Sequence, residues 1–280
     1  MAKQRLDTLL VEQGLCPSRQ LAQRLIRAGE VKIDQQVIDK PGTLIATDAV
    51  IVLKQKPPYV SRGGEKLARA LKIFNVQPKG KICLDGGIST GGFTDCLLQA
   101  EAKQVYGVDV GYGQVAWKIR QDPRVVLRER TNIRHLTPED LYAVAAESAT
   151  NEARKMPTLG VMDVSFISLV KVLPAFWSLL AHPREVVLLV KPQFEVGRDK
   201  IGKKGVVRDP KDQAIAILQV TQAAAQLGWH YRGLTWSETV GPAGNIEYLL
   251  WLCSDQKTQA YPELSELCEV TQAARQALSK

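Results

Sequence analysis

No apolar run in this 280-residue chain reaches the roughly 18 to 20 residues that a membrane-spanning helix needs, so a helical membrane protein is excluded and no membrane partner is expected. The opening residues M-A-K-Q-R-L-D carry no apolar signal region, and a cytoplasmic location is the expectation. Cysteines are few and scattered singly, at Cys16, Cys83, Cys96, Cys253 and Cys268, without a C-x-x-C pair. That argues against a disulfide framework or a zinc site and fits a reducing compartment. His135, His182 and His230 stand alone with no ligand spacing, so no metal is expected. Acidic residues are outnumbered: 37 Lys and Arg face 29 Asp and Glu, for a net charge of +8. A basic chain points to a polyanionic partner such as nucleic acid, without naming a site on it.

Two phosphate-binding signatures are also missing. The stretch Lys81–Gln99, K-I-C-L-D-G-G-I-S-T-G-G-F-T-D-C-L-L-Q, lacks the G-x-G-x-x-G of dinucleotide folds and the lysine of a P-loop. It still reads as strand, glycine turn and helix, because Ile82, Cys83 and Leu84 run into Asp85, and Phe93, Leu97 and Leu98 follow at helical spacing. Such a turn opens a nucleotide pocket at a helix N-terminus, where backbone N–H groups are free. A second apolar run, Val105–Val108, ends on Asp109, which suits a ribose diol. Asp85-x-Gly87-x-x-x-Gly91, then a strand, then an acid, resembles an S-adenosylmethionine site; a structural turn without a ligand is the competing reading.

Before that turn, Arg5–Leu53 reads as a small separate unit. Leu6, Leu9, Leu10 and Val11 form one helical face; Ser18 is a candidate cap for a second helix with Leu21, Ala22, Leu25 and Ile26 on its apolar side. Val31 and Ile33 alternate with Lys32 and Asp34 as in a half-buried strand, and Val50–Leu53 is another. The residues Arg5-Leu6-Asp7, Gly14-Leu15, Ser18-Arg19, Ala22, Leu25-Ile26, Gly29, Val31, Lys40-Pro41-Gly42 and Asp48 resemble the RNA-binding domain named after small-subunit ribosomal protein four. That resemblance implies RNA contacts at Arg5, Arg19, Arg24, Arg27 and Lys32, of the kind that position rather than specify.

The expected divisions are an RNA-binding domain at 1–54, a proline-stiffened linker at 55–60, a catalytic domain at 61–254 and a tail at 255–280. After the linker, Leu67, Ala70, Leu71 and Phe74 mark a helix expected to cover the sheet's edge, with Lys66 near its start. Strands ending on Asp85, Asp109, Leu127, Asp163 and Lys191 alternate with helices around 92–99, 114–120, 138–149, 167–180 and 210–227. This alternation predicts an α/β fold with a doubly wound, mostly parallel sheet. Tyr231–Thr239 and Ile246–Cys253 follow without room for a helix and predict a terminal antiparallel hairpin turning at Gly241–Gly244. The whole is similar to the Rossmann-like class I S-adenosylmethionine-dependent methyltransferase fold. The tail's Leu264, Leu267 and Val270 suggest one further helix.

Lys191 closes the apolar run Val186–Val190. Burial at a strand end favours the neutral amine, which can take a proton; nearby carboxylates favour the charged form, and the sequence leaves that balance open. Asp163 closes Leu159–Met162, and Glu247 sits between Ile246 and Tyr248, where a carboxylate needs a partner. Lys66, Asp163, Lys191 and Glu247 in chain order resemble the tetrad of FtsJ-like RNA ribose 2′-O-methyltransferases. The surrounding words, S-R-G-G-E-K-L at 61–67, S-T-G-G-F-T-D at 89–95, D-V-S-F-I-S-L at 163–169 and K-P-Q-F-E at 191–195, narrow the resemblance to the TlyA family of hemolysin-related ribosomal RNA 2′-O-methyltransferases.

The resemblance implies Lys191 as base, Asp163 and Glu247 as acids that orient it and hold the ribose, and Lys66 as the holder of a nearby carboxylate or phosphate. It implies S-adenosylmethionine on Asp85, Gly87, Ser89, Thr90, Gly91, Gly92, Asp109 and Asn132, and Arg62 against RNA. The implied partner is ribosomal RNA or a ribosomal subunit, with a cytidine as target. The basic stretch with Arg198, Lys200, Lys203, Lys204 and Arg208 is a candidate RNA-gripping loop, with a solvated charged loop as the competing reading. Two alternatives from other classes are a membrane-damaging hemolysin and a catalytically inactive ribosome assembly factor.

Overall fold

A computed structural model describes residues 2–54, 57–142, 156–255 and 260–279, and the chain divides into two compact units, Met1–Pro57 and Pro58–Lys280. In the first unit the order is β1 (Lys3–Arg5), α1 (Leu6–Glu12), α2 (Arg19–Arg27), β2 (Val31–Ile33), β3 (Gln36–Val37), β4 (Leu44–Ala46) and β5 (Ile51–Leu53). Ser18 caps α2 as expected, its Oγ accepting from the Leu21 N–H at 3.3 Å. The apolar faces of α1 and α2 close over Val31 and Ile33, with Leu6, Leu10, Ala22 and Ile26 buried. β2 is the centre of an antiparallel β3-β2-β5 sheet. β1 was not legible in the sequence: three polar residues show no alternation, and pairing with β4 is what makes them a strand.

Asp7 is the polar centre of this unit. It is fully buried and accepts from Arg5 Nε and Nη2 at 3.0 Å each, from Arg19 Nε at 2.9 Å and from Gln23 Nε2 at 2.8 Å. The Arg5 hydrogen bonds, with those of Gln23 and Arg19, hold its carboxyl far below the usual carboxylate range. The stabilisation is therefore present at neutral pH and is lost as pH falls below the ordinary carboxylate value toward the folded one. Arg5 and Arg19 are each half-exposed and tied to Asp7, whose burial the local sequence does not reveal. Arg24, Arg27 and Lys32 are exposed and form no ion pair among the described residues.

The second unit contains α3 (Gly63–Phe74), β6 (Ile82–Gly86), α4 (Gly92–Gln99), β7 (Gln104–Val108), α5 (Trp117–Arg120), β8 (Val125–Arg128), α6 (Pro138–Tyr142), β9 (Leu159–Met162) and α7 (Leu173–Ser178). β10 (Glu185–Val190), α8 (Pro192–Glu195), α9 (Pro210–Leu227), β11 (His230–Trp236), β12 (Tyr248–Cys253) and α10 (Leu264–Leu278) follow. One seven-stranded sheet runs β11-β12-β10-β9-β6-β7-β8, with β6 to β10 parallel and β12 antiparallel to both its neighbours. The α/β fold class and the terminal hairpin are as expected. The later strand of the hairpin lies inside and the earlier one at the edge, because β12 is apolar along its length and β11 is only half-buried.

Alternation along β10 divides the core. Val186, Leu188 and Val190 face the layer of α7, α9 and α10, while Val187 and Leu189 face that of α3 and α4. Between β6 and β9 the strand order reverses, and a crevice forms beyond their carboxyl ends.

Two of the expected helix spans change. The helix expected at 114–120 begins only at Trp117. The one expected at 167–180 is broken into a short turn, Leu169–Lys171, and α7, whose first turn carries Pro174. Of that expected at 138–149, residues 143–149 lie outside the described ones, as do Gln55 and Lys56 of the expected linker. α3 covers a face of the sheet rather than its edge: Phe74 stacks on Trp251 with ring centroids 5.5 Å apart, and Leu67 packs in the cluster that holds Val187 and Leu249. The tail does form a helix, α10, which buries Leu267 and Ala274 in the main core.

Candidate active site

A cleft of about 490 Å³ opens beyond the ends of β6, β7 and β9. Of the expected cofactor residues, Gly87, Ser89, Asp109 and Asn132 line it, together with Asp163 and the apolar Val110 and Ile133. Gly87 is required there twice over: its φ is +86°, and a Cβ would stand 2.5 Å from the Asp163 carbonyl oxygen. Asp109 is oriented by two backbone donors, Ser89 N–H to Oδ2 and Gly111 N–H to Oδ1, each at 2.7 Å. Asn132 Oδ1 accepts from the Arg134 N–H at 3.1 Å, and its carboxamide nitrogen has no partner among the described residues.

Asp85, Thr90, Gly91 and Gly92 do not line the cleft. The Thr90 carbonyl accepts from the Ala116 N–H, and Gly92 lets α4 approach the segment before α3, since a Cβ would come within 2.2 Å of Ser61 Oγ. In this motif the later glycines thus serve helix packing. Asp85 is fully buried; Thr94 donates its hydroxyl to Oδ2 at 2.6 Å, and Oδ1 has no partner among the described residues. Burial pushes this carboxyl up to about 7, against the opposing hydrogen bond of Thr94, with Asp163 and Asp109 raising it further.

A second cavity, of about 330 Å³, is lined by Lys191, Gln193, Phe194, Pro242 and Glu247. Ser165 and Phe166 line both spaces. Of the four expected catalytic residues, Lys191 and Glu247 line this second cavity and Asp163 lines the first, and the four form two ion pairs. Lys191, at the end of β10, places Nζ 2.5 Å from Asp163 Oδ1 and donates to Ser165 Oγ at 2.9 Å. Lys66 pairs with Glu247, and both are largely buried. That pairing explains a lysine near a helix start, where the dipole alone disfavours it. Glu247 in turn gains the partner that its apolar strand denies it.

Several residues of this site were inside the motif words but carried no signal separating them from their neighbours. Glu195 accepts from the Ser168 hydroxyl at 2.6 Å and the Leu169 N–H at 2.9 Å, tying segment 163–169 to α8. Asn245 accepts from the Val207 N–H at 3.0 Å and donates to the Gly205 carbonyl at 2.8 Å, pinning the basic segment to the hairpin turn. Within that segment Lys200 is paired with Asp212, while Arg198, Lys203, Lys204 and Arg208 are exposed. Phe166 is 92% exposed, with its ring 5.3 Å from that of Phe194. Its φ of 65° is costly for a bulky side chain, and such strain clusters at functional sites. Arg62 is exposed at the start of α3.

Among the described residues, no helix is long and apolar enough to cross a membrane. The model of the FtsJ-like methyltransferase family matches residues 59–253, and that of the S4 domain matches residues 4–51. A Mycobacterium tuberculosis protein named 16S/23S rRNA (cytidine-2′-O)-methyltransferase TlyA is 46% identical over 250 residues, 89% of each chain. Hemolysin A of Brachyspira hyodysenteriae is 39% identical over 88% of this chain and 98% of its own. A solved Streptococcus thermophilus structure that also carries the hemolysin name superposes with a TM-score of 0.72, at 40% identity, over 100% of this chain and 98% of its own. With an S4 domain ahead of an FtsJ-like catalytic domain, and near-half identity to TlyA over most of its length, the chain belongs to the TlyA family of FtsJ-like methyltransferases.

Proposed function

We propose that the chain transfers a methyl group from S-adenosylmethionine to the ribose 2′-hydroxyl of a cytidine in ribosomal RNA, in the cytoplasm. The observation that carries this reading is the two ion pairs, Lys191–Asp163 and Lys66–Glu247, with Lys191 and Glu247 in the wall of a cavity that shares Ser165 and Phe166 with the glycine-turn cleft. The activities named for relatives such as TlyA support the substrate class.

The cleft's donors and acceptors fit the cofactor. Asp109 would hold its ribose diol, with Asn132, Val110 and Ile133 against its purine. The Asp163 carboxylate, in the cleft wall, suits its cationic amino-acid end. When bound, S-adenosylmethionine supplies an electrophilic methyl on a sulfonium that leaves as a neutral thioether. A 2′-hydroxyl is a weak nucleophile until it loses its proton. Neutral Lys191 accepts that proton at Nζ, and Asp163 stabilises the ammonium that forms. Glu247, held by Lys66, orients the sugar. Phe166, an exposed ring in the wall of both spaces, offers the splayed-out base a stacking surface. Residues 1–54 form the RNA-docking domain and 61–254 the catalytic one, with phosphates on Arg24, Arg27 and Lys32, supplemented by Arg5, Arg19 and Arg62.

The decisive experiment transfers labelled methyl from S-adenosylmethionine to isolated ribosomal subunits and maps the modified sugar. Label on a ribose 2′-oxygen is expected; label only on bases, or none, removes the reading.

A further inference from the structure

The Lys191 cavity holds a carboxamide that the chain itself does not use. Gln193 Oε1 is buried without a partner, and its Nε2 donates to no described residue. Buried polar groups are almost always satisfied, so an orphan needs an explanation. The other amide in the wall, Asn245, is spent on the backbone of Val207 and Gly205. The remaining lining includes the rings of Phe166 and Phe194, with Pro242 and Ala243. Aromatic and apolar surface beside one free donor–acceptor pair is the chemistry that receives a nucleobase.

We infer that Gln193 is a specificity-determining residue that reads the Watson–Crick edge of the target base. This deepens the proposed ribose methylation and rests on it. Gln193 lies two positions after Lys191, at the start of α8. A nucleoside with its 2′-hydroxyl at Lys191 has its base attached one carbon away, so sugar and base recognition fall on neighbouring side chains. The carboxamide carries one acceptor, Oε1, and donors on Nε2, which together match the exocyclic N4–H₂ and the ring N3 of cytosine. Uracil in the same pose sets acceptor against acceptor and donor against donor. A site built to hydrogen-bond one edge rejects the mismatched one through unpaired buried groups.

The test measures kcat/KM on ribosomal subunits carrying cytidine, or by point substitution uridine, at the mapped position. Wild type should prefer cytidine. Gln193→Ala should lower the cytidine value by roughly 10- to 100-fold, the size of a lost bidentate base contact, and the uridine value much less. Gln193→Glu keeps the size and the acceptor but offers no donor, and should move the ratio toward uridine, whose N3–H it can accept. Both variants should bind S-adenosylmethionine as wild type does, which also checks that they fold. A cytidine-to-uridine ratio unchanged in both variants overturns the inference while leaving ribose methylation standing. A wild-type protein that methylates no RNA overturns both.

Discussion

Replacing Lys191 by alanine is expected to lower methyl transfer by about 10³-fold while leaving cofactor affinity unchanged, the effect of removing a positioned general base. Lys191 sits at the end of an apolar strand, only 9% exposed, with its Nζ held between Asp163 and Ser165. Nothing else described in the cavity wall offers a basic nitrogen at that point. Alanine also leaves Asp163 Oδ1 buried without its partner, so the fold of the variant is checked alongside its activity. The informative companion is Lys191→Arg. It keeps the charge beside Asp163 and cannot give up a proton at any accessible pH, so it should be as inactive as alanine. If arginine restores activity, the role is electrostatic and the base assignment fails.

Glu247→Leu is expected to destabilise the second unit by about 3–5 kcal/mol, because it strands the Lys66 ammonium in a site that excludes water. The side chains are 12% and 3% exposed, too little for solvent to replace the lost partner. The double variant Lys66→Met/Glu247→Leu removes both charges and should recover most of that stability, since an apolar pair needs no desolvation offset. It should not recover methyl transfer if the pair serves the sugar. All five tryptophans, at 117, 177, 229, 236 and 251, fall in this unit, so fluorescence during denaturant unfolding reports on it alone. A Glu247→Leu protein within about 1 kcal/mol of wild type would contradict the burial argument. A double variant with full activity would remove the pair from the chemistry.

Glycine turns illustrate how far motif reading reached. D-x-G-x-x-x-G located the cleft correctly, because a strand end and a helix start are local events. Yet Gly92 lies against Ser61 rather than toward a ligand, and which atom a missing Cβ makes room for is a matter of packing. The S4 unit repeats the lesson. Arg5 and Arg19 were legible as basic residues of an RNA-binding motif. Their attachment to Asp7 was not, because the hydrogen bonds join positions on two helices and the strand before them. Phe166 and Gln193 stood inside quoted words and looked no different from their neighbours. One is distinguished by a left-handed backbone and near-complete exposure, the other by an orphaned oxygen, and neither property exists before folding.

The amino-acid order by itself determined the alternating α/β plan, the strand ends that carry Asp85, Asp109, Asp163 and Lys191, the late hairpin and the family. All of these follow from periodicity, local turn chemistry and short words, which act over a few residues. Only the tertiary structure decided that Lys66 partners Glu247, that Lys191 partners Asp163, and that two spaces share Ser165 and Phe166 in their walls. Lys66 and Glu247 are separated by 181 positions, and no local interaction chooses among partners so far apart. The choice falls to the order in which strands pack, which sets whose buried charge must be met by whose.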